Sequence, residues 1–284
     1  MNDAIRLHRL RPALVYGLVV LVGAAAFLWP FFLTGHALPD QAHAGDAPLW
    51  AALVGAAVVA AIALEVRQGT MTGTTVALLG VLSAVAGLLR LLALPGGGNG
   101  IYFLVILAGV AFGPRFGLLL GLLAMAVSAV VTGGIGPWLP FQMLALSWMG
   151  AGAGFLGRLT RRLTPRVEVG VLAAYGWVWG FVYGAILNLW FWPFQVDGGA
   201  LSFAPNLTTG ETVHRYWSFY VASSFAWDAA GALANAILIV LTGRAVLRSL
   251  RRFAGRLDPI VELEPLESPT DPGATNATRE VLTR

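Results

Sequence analysis

The sequence predicts an all-α fold, a polytopic transmembrane helical bundle, from three observations. Of its 284 residues, 57% are hydrophobic and only 11% are charged, whereas soluble domains are about one quarter charged. Apolar runs of about 20 residues recur along the chain, and that length crosses a bilayer core of about 30 Å. The arginines fall into alternate connections between these runs, as the cytoplasmic loops of a membrane protein require.

Eight apolar segments are the predicted helices. The fourth is short for a full span, and only the letters GPR separate it from the fifth. The link 193–215 is polar and is predicted to lie outside the helices. After about residue 257, acids, prolines and small polar residues dominate, which is typical of a disordered tail. The eight segments cover residues 12–33, 48–67, 73–94, 101–113, 115–132, 138–157, 168–192 and 216–243.

Arginine placement predicts the orientation of these helices. If the segments alternate from a cytoplasmic N-terminus, all of the 18 basic residues except Arg90 and Arg215 lie on the cytoplasmic side. This agrees with the excess of basic residues that cytoplasmic loops carry. An even number of helices also returns the C-terminus to the cytoplasm. The sequence therefore predicts a multi-pass membrane protein with both termini cytoplasmic.

The joint between the fifth and sixth segments reads TGGIGPWLPFQ and faces outward in this orientation. Its glycines can adopt the backbone conformations that end a helix. Pro137 can begin the next helix because the N–H that proline lacks has no partner within the helix at that position. Trp138 is placed at the depth of the membrane interface, and Gln142 follows one turn into the helix. An ordinary interfacial turn explains this pattern, and so does the rim of a binding pocket.

Polar side chains inside the predicted helices are few, and such residues usually line a cavity or pair with one another. Arg90 and Asp228 are candidates for an ion pair, which is either a clasp between two helices or a wall of an outward-facing pocket. Aromatic residues cluster at the same outer ends, where they form either an interface belt or stacking surfaces for a planar ligand. The candidate substrate contacts are Arg90, Asn99, Tyr102, Trp138, Gln142, Asn188, Trp192 and Asp228. Asn235 lies on about the same helix face as Asp228, seven residues later.

The third segment carries small residues at steps of three and four, which place them on one stripe of a helix. Such a stripe lets another helix approach closely within a membrane. It is either a docking surface for another subunit or part of the internal packing of the bundle. The stripe comprises Gly73, Ala77, Gly80, Ala84 and Gly87.

Several functional classes are disfavoured by what the sequence lacks. It has no cysteine and no lysine, which excludes thiol chemistry and lysine Schiff bases. It also has no P-loop, no H-E-x-x-H zinc motif and no G-x-S-x-G nucleophile elbow. No enzyme activity, metal or cofactor is therefore predicted. The classes that remain open include a ligand-binding membrane protein, a stand-alone secondary transporter or channel with a path near Asp228, a membrane enzyme, and a structural subunit.

Three stretches of the sequence together resemble a known family. GPRFGLLLG, TGGIGPWLPFQM and WDAAGALAN occur in this order within residues 71–245. In that order they are similar to the S component, the substrate-binding membrane subunit of energy-coupling factor (ECF) vitamin transporters. The first two apolar segments and the tail lie outside the resemblance. It implies three regions: two N-terminal helices over 1–70, a six-helix substrate-binding core over 71–245, and a basic and then disordered cytoplasmic tail over 246–284.

The resemblance also implies a function and partners. An S component of this family binds a vitamin near the outer face of a bacterial cell membrane, with cobalamin or riboflavin as the expected class. It joins a transmembrane T subunit and two cytoplasmic ATPases, and small residues on the first core helix contact the T subunit. Here Gly73, Ala77, Gly80 and Ala84 match those positions, although the strict Ala-x-x-x-Ala spacing is absent. The subunit itself performs no catalysis.

Overall fold

The computed structural model describes residues 16–32, 45–69, 71–92, 94, 98–195, 199–204 and 207–257, and over these residues the chain forms nine α-helices and no β-strand. The predicted tail 258–284 lies outside the described residues. Short 3-10 turns, Trp29–Phe32 and Trp192–Phe194, follow α1 and α7. The helices are α1 (16–28), α2 (Ala47–Arg67), α3 (Gly73–Leu89), α4 (Ile101–Phe112), α5 (Pro114–Thr132), α6 (Leu139–Thr160), α7 (Pro165–Phe191), α8 (Thr209–Ser223) and α9 (Phe225–Leu257).

The predicted class, a helical membrane bundle, is confirmed. Five helices, α2, α5, α6, α7 and α9, are long and apolar enough to cross a bilayer, and α1, α3 and α4 are shorter apolar helices. Large apolar side chains such as Leu53, Val59 and Leu241 are exposed on the outside of the bundle. Such surfaces suit a hydrocarbon environment, in which exposed apolar side chains carry no penalty.

The helix boundaries follow the local sequence. Proline occupies the first turn of α2, α5, α6 and α7, where its missing N–H has no partner to lose. Helix α5 ends at Gly133, whose φ of 67° is the left-handed conformation that glycine adopts without strain. Gly113, at φ 94°, similarly separates α4 from α5. The predicted break at the letters GPR and the predicted end of the fifth segment are therefore confirmed.

Two predictions were wrong: that the last helix covers 216–243, and that the link before it contains no helix. Helix α8 begins within that link, and Ser224 then interrupts the backbone before α9, which continues to Leu257. A capping box starts α8: the Glu211 N–H donates to the Thr208 hydroxyl at 3.3 Å, and the Thr208 N–H donates to the Glu211 carboxylate at 2.9 Å. The Thr208 hydroxyl also donates to this carboxylate and, together with the N–H, lowers the pKa of Glu211.

Helix α4 lies at the centre of the bundle. It contacts α3, α5, α6, α7 and α9, and ten of its 12 residues are buried. Its sequence, IYFLVILAGVAF, contains no charged residue and is apolar on every side. A helix that is hydrophobic all round belongs in the interior, so its length of 12 residues does not need to span the bilayer alone.

Glycines set the closest helix approaches. Gly109 on α4, Gly117 on α5 and Gly150 on α6 lie against one another, and a Cβ built on Gly117 would overlap the Gly150 carbonyl. A second glycine series, Gly176, Gly180 and Gly184 on α7, faces α9. At these positions the glycine backbone contacts either the backbone or a side chain of the neighbouring helix. No larger residue therefore fits between the helices.

The arginine-rich helix ends lie at one end of the bundle, as the alternation predicted. Two ion pairs join elements there: Arg115 Nη1 lies 3.2 Å from Glu65 Oε1, and Arg251 binds Glu168 through both guanidinium nitrogens, at 2.6 and 2.8 Å. The Thr160 hydroxyl also donates to Glu168, at 2.9 Å. Glu65 and Glu168 are both buried, so each arginine compensates the negative charge of a carboxylate that is shielded from water.

We expect Arg251→Ala to destabilise the bundle by about 3 kcal/mol or more, because it leaves the Glu168 carboxylate buried without its bidentate partner. Arg252 is exposed and adjacent, so Arg252→Ala is the matched control and should change stability by less than about 0.5 kcal/mol. Unfolding of the purified variants in detergent measures both values. Equal stability of the two variants would show that the α7–α9 ion pair contributes little.

Candidate functional site

The helix ends that the sequence predicted to face outward lie at the end of the bundle opposite the two ion pairs. Gly98, in the connection before α4, packs on Gly231 of α9, with its Cβ position 3.0 Å from the Gly231 Cα. Trp138 before α6 and Trp190 of α7 make an edge contact, with ring centroids 6.4 Å apart. The eight candidate substrate residues therefore lie at one end of the molecule but not in one cluster.

Asn188 and Asp228 are brought together at the junction of α7, α8 and α9. The Asn188 amide donates to the Gly184 carbonyl at 2.9 Å and to the Ser224 hydroxyl at 2.8 Å. Asp228 packs directly on Gly184, because a Cβ built there would overlap its carboxylate. Ser224 ends the regular backbone of α8, so the break that the sequence did not predict places a hydroxyl next to the Asn188 amide.

The Asp228 side chain is partly buried. Its Oδ2 atom is buried, and no hydrogen bond to it is found within the described residues. The Tyr220 hydroxyl lies beside the carboxylate but donates to the Phe181 carbonyl at 3.3 Å. A buried acceptor without a partner costs about 1–3 kcal/mol, so a hydrogen-bond donor at this oxygen would be stabilising.

The expected ion pair between Arg90 and Asp228 is not formed in this part of the structure. Arg90, at the end of α3, points its Nη1 at the Met125 sulfur of α5, 2.9 Å away. Tyr102 lies within electrostatic range of both charged groups, and its ring centroid is 5.0 Å from that of Tyr183. The Tyr102 phenol therefore lies near both charges, and the Tyr183 phenol lies near Arg90.

Of the other four candidate residues, three form hydrogen bonds with residues in nearby turns. Trp192 is completely buried, and its Nε1–H donates to the Leu201 carbonyl at 2.8 Å. Trp138 donates to the Gly134 carbonyl at 3.1 Å, and Asn99 accepts from the Ile101 N–H at 3.2 Å. These contacts hold the turns in place. Gln142 is partly exposed, and no hydrogen bond of its side chain is found in the described structure.

Sequence reasoning left out the residues that surround Asp228. Tyr183, Gly184 and Ser224 were not selected, and Asn235 was noted only for sharing a face with Asp228. Asn235 is buried, and neither polar atom of its amide has a partner among the described residues. The pattern G-x-x-x-G-x-x-x-G over 176–184 is visible in the sequence and would have identified the helix that packs against α9.

Four cavities lie at the arginine-rich end of the bundle. The largest has a volume of about 840 Å³, and its lining includes Glu65, Arg115, Arg161 and Arg251. The others measure about 630, 200 and 180 Å³. None of these four is lined by any of the eight candidate substrate residues. At the outer end, the contacts between Gly98 and Gly231 and between Trp138 and Trp190 join neighbouring elements of the described structure.

The small-residue stripe of α3 is divided between two environments. Gly73, Ala77, Gly80 and Ala84 are exposed on the outside of the bundle, and a Cβ on Gly73 or Gly80 would meet nothing within 4 Å. Gly87 is instead buried against α5, with its Cβ position 2.8 Å from the Val127 side chain. Four of the five predicted partner residues are thus exposed in the part of the chain that the structure describes, and the fifth packs internally.

The fold and these helix surfaces define a polytopic α-helical membrane protein with an intramembrane polar cluster. The family model described as "ECF transporter, substrate-specific component" matches residues 74–242, which include α4 to α8 and most of α3 and α9. The chain therefore belongs to the ECF transporter substrate-specific component family, which is a transport family and not an enzyme family. No curated protein and no solved structure matches the chain.

Proposed function

We propose that the chain is the substrate-binding subunit of an ECF-type ABC importer for a vitamin or related micronutrient. Membership of the family supports the transport role. The observation that carries the binding site is the partly buried Asp228 carboxylate at the α7–α8–α9 junction, whose buried Oδ2 atom is unpaired among the described residues. An N–H or O–H donor of the ligand would satisfy this oxygen and recover the cost of burying it.

The groups around this carboxylate favour a large planar ligand with several polar substituents. The rings of Tyr102 and Tyr183 offer stacking surfaces, and Asn188 and Arg90 supply further hydrogen-bonding groups near them. Cobalamin and riboflavin both have this chemistry, and the number of outer aromatic residues favours cobalamin. In this proposal the outer contacts separate to admit the ligand and close again around it.

The proposed partners are a transmembrane T subunit and two cytoplasmic ATPases. The exposed stripe on α3 supports the first contact, because small residues let a partner helix reach the backbone. The subunit captures its ligand at the outer face and reorients in the membrane, and ATP-driven motion of its partners releases the ligand inside. The chain supplies binding and no catalytic group. The proposed location of the subunit is a bacterial cell membrane, with both termini cytoplasmic.

We expect Asp228→Ala to weaken vitamin binding about 10- to 150-fold, because a hydrogen bond to a charged group contributes about 1.5–3 kcal/mol. The melting temperature of this variant should not fall, since the removed carboxylate oxygen has no partner among the described residues. A binding screen of the purified protein with individual vitamins, by calorimetry or fluorescence quenching, measures the affinity.

Ser249→Ala is the control for this experiment, because Ser249 lies on the same helix at the opposite end and bonds only its own turn, through the Ala245 carbonyl. It should leave affinity unchanged. Unaltered binding in Asp228→Ala would move the site away from this junction. The absence of any vitamin binding, together with ion-dependent flux in proteoliposomes, would instead support a secondary transporter or channel near Asp228.

A further inference from the structure

A groove at the arginine-rich end combines an apolar wall with two guanidinium groups. It runs between α1 on one side and α5 and α6 on the other, and its volume is about 630 Å³. This lies within the range of roughly 300–1,000 Å³ that is typical of ligand sites. Tyr16 and Pro114 complete its lining near the arginines. The apolar wall comprises Gly17, Val20, Leu21, Leu118, Ala151 and Phe155, and the charged end comprises Arg115 and Arg158.

The apolar wall of the groove is open to the surroundings of the bundle. Leu21 is 68% exposed and Phe155 is 56% exposed, so both project from the helix surface that meets lipid. The helices on either side are apolar along this region. A ligand in the groove therefore contacts protein on one side and acyl chains on the other.

The charged end holds two arginines whose positive charge is not fully balanced. Arg115 pairs with the buried Glu65 at 3.2 Å, and its guanidinium lies 5.8 Å from the centre of the Tyr16 ring. Arg158 is exposed and lies 5.3 Å from the centre of the Phe155 ring. No hydrogen bond or ion pair of Arg158 is found over the described ranges. The two guanidinium groups together carry one positive charge more than their single carboxylate, and both arginines line the same groove.

We propose that this groove binds one anionic phospholipid. The phosphate accepts hydrogen bonds from Arg158 and from the free donors of Arg115, because a planar guanidinium matches the geometry of phosphate oxygens. One acyl chain lies along the apolar wall between α1 and α6. Basic sites between transmembrane helices select anionic headgroups in this way, because the surplus charge attracts them more than zwitterionic ones.

The bound lipid gives α1 a role in the assembly of the bundle. Helix α1 precedes the family match at residues 74–242 and supplies one side of the groove. A lipid held by α5 and α6 therefore joins α1 to the family core. The proposal is independent of the transport function, because the groove lies at the opposite end of the bundle from Asp228.

Native mass spectrometry and thermal unfolding in detergent test this site with phosphatidylglycerol and phosphatidylcholine as the two probes. The full chain should bind phosphatidylglycerol more tightly and gain thermal stability from it. Arg158→Gln should weaken phosphatidylglycerol binding about fivefold, the contribution of one arginine near an anionic lipid. Arg162→Gln is the matched control, since Arg162 is exposed at the same end and does not line the groove, and it should bind like the parent.

A second variant tests the apolar wall without changing the charge. Gly17→Phe fills the groove at a position where a Cβ meets nothing within 4 Å, so it should displace the lipid and leave the lipid-free melting temperature unchanged. Equal binding of the two lipids, or equal losses in Arg158→Gln and Arg162→Gln, would overturn the proposal. Phosphatidylglycerol binding that appears only after removal of the acidic segment 258–271 would also overturn it, and would assign the arginines to that segment.

Discussion

Replacing Gly150 with leucine is expected to prevent the bundle from folding. Gly150 lies where α4, α5 and α6 meet: a Cβ there would overlap the Gly117 carbonyl and would lie 3.0 Å from the Val105 side chain. The obstructing atom is backbone, so no change of rotamer relieves the overlap. Overpacking costs about 1–3 kcal/mol where side chains can adjust, and we expect more than about 3 kcal/mol at this crossing.

The measurement is the yield of monodisperse protein and its melting temperature after extraction in detergent. Gly80→Leu and Gly55→Leu are the matched controls, because both glycines lie in exposed helix positions where a Cβ meets nothing within 4 Å. Both controls should fold with parental yield. A well-folded Gly150→Leu protein with an unchanged melting temperature would show that the three helices do not approach as closely as their glycines allow.

Gly80→Leu is expected to abolish uptake while leaving vitamin binding unchanged. The side chain projects from the exposed stripe of α3, far from the α7–α8–α9 junction, and blocks the close approach of a partner helix. Loss of that backbone contact should reduce co-purification of the T subunit by at least about tenfold. Vitamin affinity of the purified subunit, pull-down of the T subunit and uptake in cells provide three separate measurements.

Gly55→Leu separates a docking effect from a general effect of a larger residue facing lipid. Gly55 is on α2, outside the stripe, and the same substitution there should preserve both binding and uptake. If Gly80→Leu instead lost its fold or its ligand, the stripe would belong to the internal packing of the bundle. Retention of full uptake in Gly80→Leu would remove the stripe from the partner surface.

Much of the helix pattern could be predicted from hydropathy and from glycine and proline. The short fourth segment, the break at Gly113 and the end of α5 at Gly133 were all confirmed. The interruption at Ser224 was not predicted, because the serine pair 223–224 is flanked by apolar residues and no proline or glycine marks the break. At this break the Ser224 hydroxyl accepts a hydrogen bond from Asn188 of α7, which is 36 residues away in the chain.

The candidate site was only partly predictable for the same reason. Asp228 and Asn188 were selected as scarce polar residues in apolar helices, and the structure places them at one junction. The partner of Arg90 was not predictable, because charge alone favours Asp228 while the packing of α3 on α5 offers Met125. Arg251 was interpreted only as a marker of orientation, although it forms a bidentate pair with Glu168, 83 residues earlier.

The sequence by itself determined that this protein is a helical membrane bundle, where most of its helices begin and end, and which ends carry the arginines. Those properties depend on local composition, because a bilayer requires long apolar segments with internally satisfied backbones. Only the tertiary structure decided which glycines lie where helices cross, which carboxylates form ion pairs with arginines, and which small-residue stripe stays exposed. These outcomes depend on contacts between residues far apart in the chain, whose geometry no local pattern encodes.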